Sequence, residues 1–156
     1  EAGKRGYVTV AFGLRVRTPL LHQTVAGLRS TPYEAAAESR TAGNALGQSW
    51  CLLNSRASAE FMTKVRDSKY KLDIRPCAHI HDAQYMLVRD DIDVVMFANE
   101  HLVKAVKWQE DPEIAHPEVK LGGEFSIFWP TWAKDITIPN EATEEEIRTI
   151  VNKAVE

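Results

Sequence analysis

Arg75 to Val88 reads Arg-Pro-Cys-Ala-His-Ile-His-Asp-Ala-Gln-Tyr-Met-Leu-Val, two short runs with strand character that meet at His81-Asp82. So short a link brings the runs together as an antiparallel hairpin, predicted from Leu72 to His81 and from Gln84 to Val88. An acid at such a tip is held by two strands and can coordinate a hard cation such as Mg²⁺, which prefers oxygen ligands. Asp in a two-residue turn is also ordinary turn chemistry, so two readings of Asp82 stand side by side. The bulky imidazole of His81 is less expected in a turn.

The rest of the chain is organised around this hairpin. Tyr7 to Phe12 alternates and carries β-branched residues, predicting a strand that turns at Gly13 into a second extended piece ending at Arg17. Leu20 to Leu28 predicts a short helix. Thr31-Pro32-Tyr33-Glu34 supplies a capping residue, a Pro at the first helical position and a Glu at the third, followed by alanines. A long helix is predicted from Pro32 to Val65, interrupted near Gly43 or Gly47. Asp90-Asp91 opens another helix with acids at its positive end, running to Trp108 with Val94, Val95, Ala98, Leu102 and Val106 at core spacing. Val119 to Phe128 predicts a strand in which Gly122-Gly123 marks a bulge or a close backbone approach. Thr143-Glu144-Glu145-Glu146 is a capping box that starts a helix to Ala154. The expected class is α+β, an antiparallel sheet backed by long helices.

With 156 residues, 44% of them hydrophobic and 26% charged, the chain can bury a core and is not a disordered segment. Its formal net charge of -3 argues against a free-standing DNA-binding module, which needs a basic surface to neutralise phosphates. Any nucleic-acid contact must come from a local patch: Lys4, Arg5, Arg15 and Arg17, or Arg40, Arg56, Lys64 and Arg66. The acids concentrate after residue 90. Cys51 and Cys77 lie in apolar surroundings without metal-ligand spacing and read as reduced core thiols. Without a signal peptide, a disulfide pattern or an apolar run of spanning length, an intracellular, cytoplasmic chain with no membrane partner is expected. His79 and His81 form a His-x-His pair, but no third ligand is close in sequence, so zinc is not expected. His22, His101 and His116 read as ordinary surface or boundary residues, and Trp50, Trp108, Trp129 and Trp132 as packing residues.

Arg40, Asn44 and Gln48 recur every four residues, about 6 Å apart along one face at ~1.5 Å per residue. Long donors so spaced suit the minor groove, whose purine N3 and pyrimidine O2 acceptors hardly distinguish one base pair from another. A solvated polar helix face has the same spacing, and it is the better reading for such a triplet without the downstream His-Asp pair. Arg15 and Arg56 are candidates for phosphate contacts, with plain surface charge as the alternative.

Four blocks then follow one another: Gly6-Tyr7-Val8-Thr9-Val10-Ala11-Phe12-Gly13-Leu14-Arg15; Glu38-Ser39-Arg40 through Asn44 to Gln48; His81-Asp82; and Glu124 to Trp132. In that order they resemble family A DNA polymerases, the DNA polymerase I family. Ala83 stands where the family's His-Asp-Glu motif has Glu, Ser49 where Gly is usual after the Gln, and Leu14 and Val16 where the family tends to carry Arg. A divergent bacteriophage branch accounts for these departures.

The resemblance implies a palm-type sheet, with residues 1–132 the palm-containing part and residues 133–156 a tail with a helix. It implies that Arg40, Asn44 and Gln48 touch primer-template DNA and that His81 donates to the primer terminus. Asp82 and a second Asp would hold two Mg²⁺ ions ~4 Å apart for the transfer of deoxynucleotides from their triphosphates to a primer 3′ end. The family's first catalytic Asp and its fingers helix precede the first block, so the implied enzyme includes an upstream part on the same or a separate chain. Two other readings stand beside this one. In the first, the chain is a non-catalytic half or assembly module, active only with a partner supplying the missing Asp and helix; in the second, it is an inactive homologue marked by Ala83.

Overall fold

The computed structural model describes residues 1–112 and 114–155, with the side chains of Trp50 and Val155 outside the description. The expected packing role of Trp50 therefore lies outside the described residues. The chain divides into two compact units, Glu1–Leu53 and Asn54–Glu156.

The first unit opens with a single helical turn, α1 (Ala2–Arg5), and a ribbon of β1 (Tyr7–Thr9) and β2 (Arg15–Arg17). Tyr7 pairs with Arg17 and Thr9 with Arg15, antiparallel as expected. The strand is shorter than predicted because Ala11–Gly13 tightens into a 3₁₀ turn, with φ +59° at Phe12 and +74° at Gly13. Two left-handed residues in a row cannot continue a strand, and only the glycine adopts that conformation freely. Pro19 then occupies the first position of α2 (Pro19–Val25), where its missing N–H costs nothing. Buried Thr18, just before it, donates its hydroxyl to the Ala2 carbonyl at 3.0 Å.

The long predicted helix is two helices, α3 (Pro32–Gly47) and α4 (Ser49–Asp67), parted at Gln48 close to the anticipated break. Gly43 and Gly47 weaken this stretch by about 1 kcal/mol each relative to alanine. Ser49 stabilises the break by donating to the Ala45 carbonyl and accepting from the Ala11 N–H, both at 3.3 Å. Glu38 of α3 accepts from the Leu21 N–H at 2.7 Å, satisfying a first-turn donor of α2.

The second unit contains the remaining elements: β3 (Ile74–Ile80), β4 (Ala83–Val88), α5 (Ile92–Val106), β5 (Phe125–Phe128), β6 (Asp135–Ile138) and α6 (Glu144–Val155). Its core gathers Phe61 and Val65 of α4, Ile74 of β3, Val94, Ala98 and Leu102 of α5, Phe125, Ile136 and Ile138 of the β5–β6 ribbon, and Ile147 of α6. The stretch expected as a tail thus contributes buried residues from β6 and α6. Asp91 caps α5 by accepting from the Asp93 N–H at 2.9 Å. Val94, Ala98 and Leu102 are buried as their spacing predicted.

The class is α+β, with antiparallel pairing throughout. Among the described residues, however, the strands form three separate two-stranded ribbons, β1–β2, β3–β4 and β5–β6, in place of one sheet. The strand predicted over Val119–Phe128 begins only at Phe125. Ahead of it, the Gln109 side chain donates to the Val119 carbonyl at 3.1 Å and accepts from the Leu121 N–H at 2.7 Å, so this backbone is satisfied without a strand partner. Gly123 makes the close approach that its sequence suggested: a Cβ there would stand 3.1 Å from Val106 Cγ1.

Two outcomes follow from this core and its last helix. Phe61 is fully buried, so Phe61→Ala is expected to cost about 3–5 kcal/mol in chemical denaturation. The Thr143 N–H and hydroxyl donate to Glu146 at 2.7 and 2.9 Å and hold its carboxyl below the ordinary range. With the folded value below the unfolded one, this bond stabilises α6 above the unfolded pKa and is lost as pH falls through the folded value. In Thr143→Ala, the Glu146 carboxyl titration followed by NMR should move upward.

Candidate functional site

The hairpin is built by pairing that runs from Ile74↔Val88 to Ile80↔Ala83, leaving His81 and Asp82 as its two-residue turn. Pro76, which has no ladder N–H to give, lies where the register shifts between Pro76 and Ala78, and Cys77 is the extra residue of this bulge. Cys77 is therefore exposed and not the core thiol expected, and Cys51 is only half-buried. His81 takes φ +53°, a left-handed conformation that costs an L side chain about 1–2 kcal/mol and glycine almost nothing. Both tip residues are exposed. Neither side chain has a hydrogen-bond or ion-pair partner among the described residues. The turn therefore presents an imidazole and a carboxylate to solvent from a strained backbone, a feature that clusters at functional sites.

Behind the tip, the hairpin is tied to α4 by a polar clamp that the sequence reading missed. The Asn54 side-chain amide N–H donates to His79 Nε2 at 2.7 Å. The Gln84 amide donates to Asn54 Oδ1 at 2.9 Å and to the Asn54 carbonyl at 3.1 Å. His79 and Gln84 are direct cross-strand partners, so one buried Asn holds both strands one pair below the turn. His79 thus has a structural partner. Among the described residues, no group of three or more His, Cys, Asp and Glu side chains is placed to hold a metal ion.

The other candidates lie elsewhere. Arg40, Asn44 and Gln48 are exposed in the first unit, whereas His81 and Asp82 belong to the second. Arg40 and Asn44 stand two residues either side of buried Ala42, which at 100° per residue turns both away from the buried side of α3. Gln48 ends that helix, its N–H bonded to the Asn44 carbonyl at 2.8 Å. Arg15 is exposed on β2 with its guanidinium 4.6 Å from the centre of the Tyr7 ring.

Arg56, expected as a phosphate contact or as surface charge, is half-buried and engaged within the second unit. It pairs with Glu60, donates to the Ala105 carbonyl at 3.2 Å and lies 3.7 Å from the centre of the Trp108 ring. These partners occupy the guanidinium as a packing and ion-pairing group.

Charge is divided between the units. Residues 1–53 hold six basic and three acidic side chains, net +3; residues 54–156 hold 13 and 19, net −6. A chain-wide value of −3 hides a basic unit that carries the Arg40 stripe. No helix among the described residues is long and apolar enough to cross a membrane.

Compared with protein-family models, curated proteins and solved structures, the chain finds no match.

The clamp and the turn differ in what they do for stability, and paired variants separate them. Asn54→Ala should destabilise by about 1–3 kcal/mol, because it strips His79 and Gln84 of their shared partner. His81→Gly should leave stability unchanged or raise it by up to about 1 kcal/mol, since glycine relieves the left-handed strain. Urea denaturation of both variants is the measurement; a large loss in His81→Gly would mean that packing holds the imidazole.

Proposed function

We propose that the chain is the C-terminal, palm-containing part of a template-directed DNA polymerase of the family A type, adding deoxynucleotides to a primer 3′ end. The observation that carries this reading is the strained, solvent-facing His81-Asp82 turn on a braced hairpin, where turn chemistry alone would favour glycine. The basic first unit, with Arg40, Asn44 and Gln48 exposed on and just after α3, supports contact with primer-template DNA along the minor groove. Arg15 is the phosphate candidate retained from the sequence; Arg56 is set aside because its donors are used internally.

Two-metal nucleotidyl transfer needs more than the described residues bring together. Asp82 offers one exposed carboxylate, and the described residues include no cluster that could complete a site for two Mg²⁺ ions. The residues present therefore do not fit the pair of ions by themselves. In this reading the second carboxylate and the groups that hold the incoming triphosphate are supplied by an upstream part or a partner chain. Within that assembly, Asp82 would hold a Mg²⁺ ion through a carboxylate oxygen, His81 would donate a hydrogen bond to the primer end, and the Arg40–Gln48 stripe would give a sequence-independent grip on the duplex.

The isolated chain should give no primer extension with Mg²⁺ and four nucleotides, yet should bind duplex DNA of unrelated sequences equally and more weakly as salt rises. Arg40→Ala and Gln48→Ala should each weaken that binding by about 1–3 kcal/mol, read by fluorescence anisotropy. Asp82→Ala should leave it unchanged. In the assembled enzyme, Asp82→Ala should slow extension by far more than tenfold, that is, cost well over ~1.4 kcal/mol of transition-state stabilisation. Retention of more than a tenth of the rate would reduce Asp82 to turn chemistry.

A further inference from the structure

A cleft of about 960 Å³ lies wholly within the second unit and runs between β4 and β5. Side chains alternate from face to face along a strand, so a cleft resting on a sheet face touches every second residue. This one is lined by consecutive residues of both strands, Gln84 to Val88 and Phe125 to Phe128. It follows their backbone edges. β4 bonds only to β3 and β5 only to β6, so each strand has a free row of N–H and C=O groups. The Tyr85 and Phe128 rings approach to 6.4 Å across the gap, although the two backbones do not pair.

The floor of the cleft is apolar, made by Val95 and Leu102 of α5 and Ile147 and Val151 of α6. Its charge is one-sided. Arg148 is paired with Glu144 at 2.8 Å and Arg89 with Asp73 at 3.0 Å, whereas Asp90, Asp91, Asp93 and Glu124 form no ion pair within 4 Å among the described residues. Lys69 faces Asp91 and Asp93 electrostatically but does not line the cleft. Open strand edges ask for an extended backbone, the helical floor for apolar side chains at every second position, and Asp90 and Glu124 for a basic residue.

We propose that the cleft is the docking site of a partner polypeptide, which inserts an extended, alternately apolar segment carrying basic residues at one end and pairs with both β4 and β5. It would join two of the three ribbons into one sheet, a known mode of peptide recognition by strand addition. Nothing in this inference depends on nucleotidyl transfer or on DNA.

The probe is a capped eight-residue peptide of alternating valine and threonine that ends in two lysines. Two control peptides replace the central valine with proline, which has no N–H to donate, or the lysines with glutamates. Amide hydrogen exchange of the full chain is followed by NMR. The lysine peptide should slow exchange in both Gln84–Val88 and Phe125–Phe128, and each control should bind about tenfold more weakly. The double variant Asp90→Asn/Glu124→Gln, checked for an unchanged fold by its core amides, should lose the preference for lysine over glutamate. The proposal is overturned by protection in only one strand, by equal binding of the proline peptide, by a charge preference that survives in the double variant, or by no protection at about 1 mM peptide. Concentration-dependent protection of the same amides without peptide would also overturn it, since a second copy would then be the occupant. None of these outcomes bears on Asp82 or on the DNA contacts, so failure here leaves the polymerase reading where it stood.

Discussion

The Asn54 amide is the interaction on which the second unit's exposed chemistry depends. A two-stranded hairpin is marginal in water on its own, and a tip that carries a left-handed histidine is under additional strain. Asn54 reaches both strands at the second pair from the turn, while Phe61 and Val65, further along α4, pack into the core with Ile74 at the hairpin's base. Tip and base are thus fixed by one helix. The buried amide uses its Oδ1 and Nδ2 on different strands, so a slip in register would leave it unsatisfied, at a cost of about 1–3 kcal/mol. Geometry at Asp82 is consequently set by hydrogen bonding behind it, which leaves its own carboxylate uncommitted.

What could be foreseen from the sequence was local. The hairpin, the break near Gly47, the acidic start of α5 and the capping box at Thr143–Glu146 each rest on residues within a few positions of one another, and each took the expected form. The departures come from partners distant in sequence. Arg56 read as a phosphate contact or as surface charge because two of its partners, the Ala105 carbonyl and Trp108, lie about fifty residues away, and no pattern around Arg56 announces them. Asn54 carried no signal, since a single amide in a helix matches no motif. The strand predicted from Val119 was shortened by Gln109, whose side chain takes up the backbone groups that a ladder would have used.

Trp132 shows the same limit from the opposite side. Its composition reads as packing, and it does stack on Phe128 at 4.4 Å and approach Tyr85 at 5.3 Å, yet it remains 68% exposed. Aromatic contact and burial are separate properties: three rings can satisfy one another at a surface while leaving a large apolar face in water. A patch of that kind beside two open strand edges marks a place where something binds more often than it marks a defect.

Whole-chain averages conceal the organisation that matters for function. A net charge of −3 argues against nucleic-acid binding only if charge is spread evenly, and here it is not: the first unit is positive and the second strongly negative. Binding responds to the local field, because screening confines a charge's influence to about 8–10 Å at ordinary salt. The net charge of the whole chain is therefore not the quantity that a phosphate meets. Around the cleft of the second unit, acidity has the opposite use. Asp90 and Glu124, which form no ion pair within 4 Å among the described residues, attract an occupant that brings positive charge. The acid lining that cleft therefore selects for a basic occupant of the second unit.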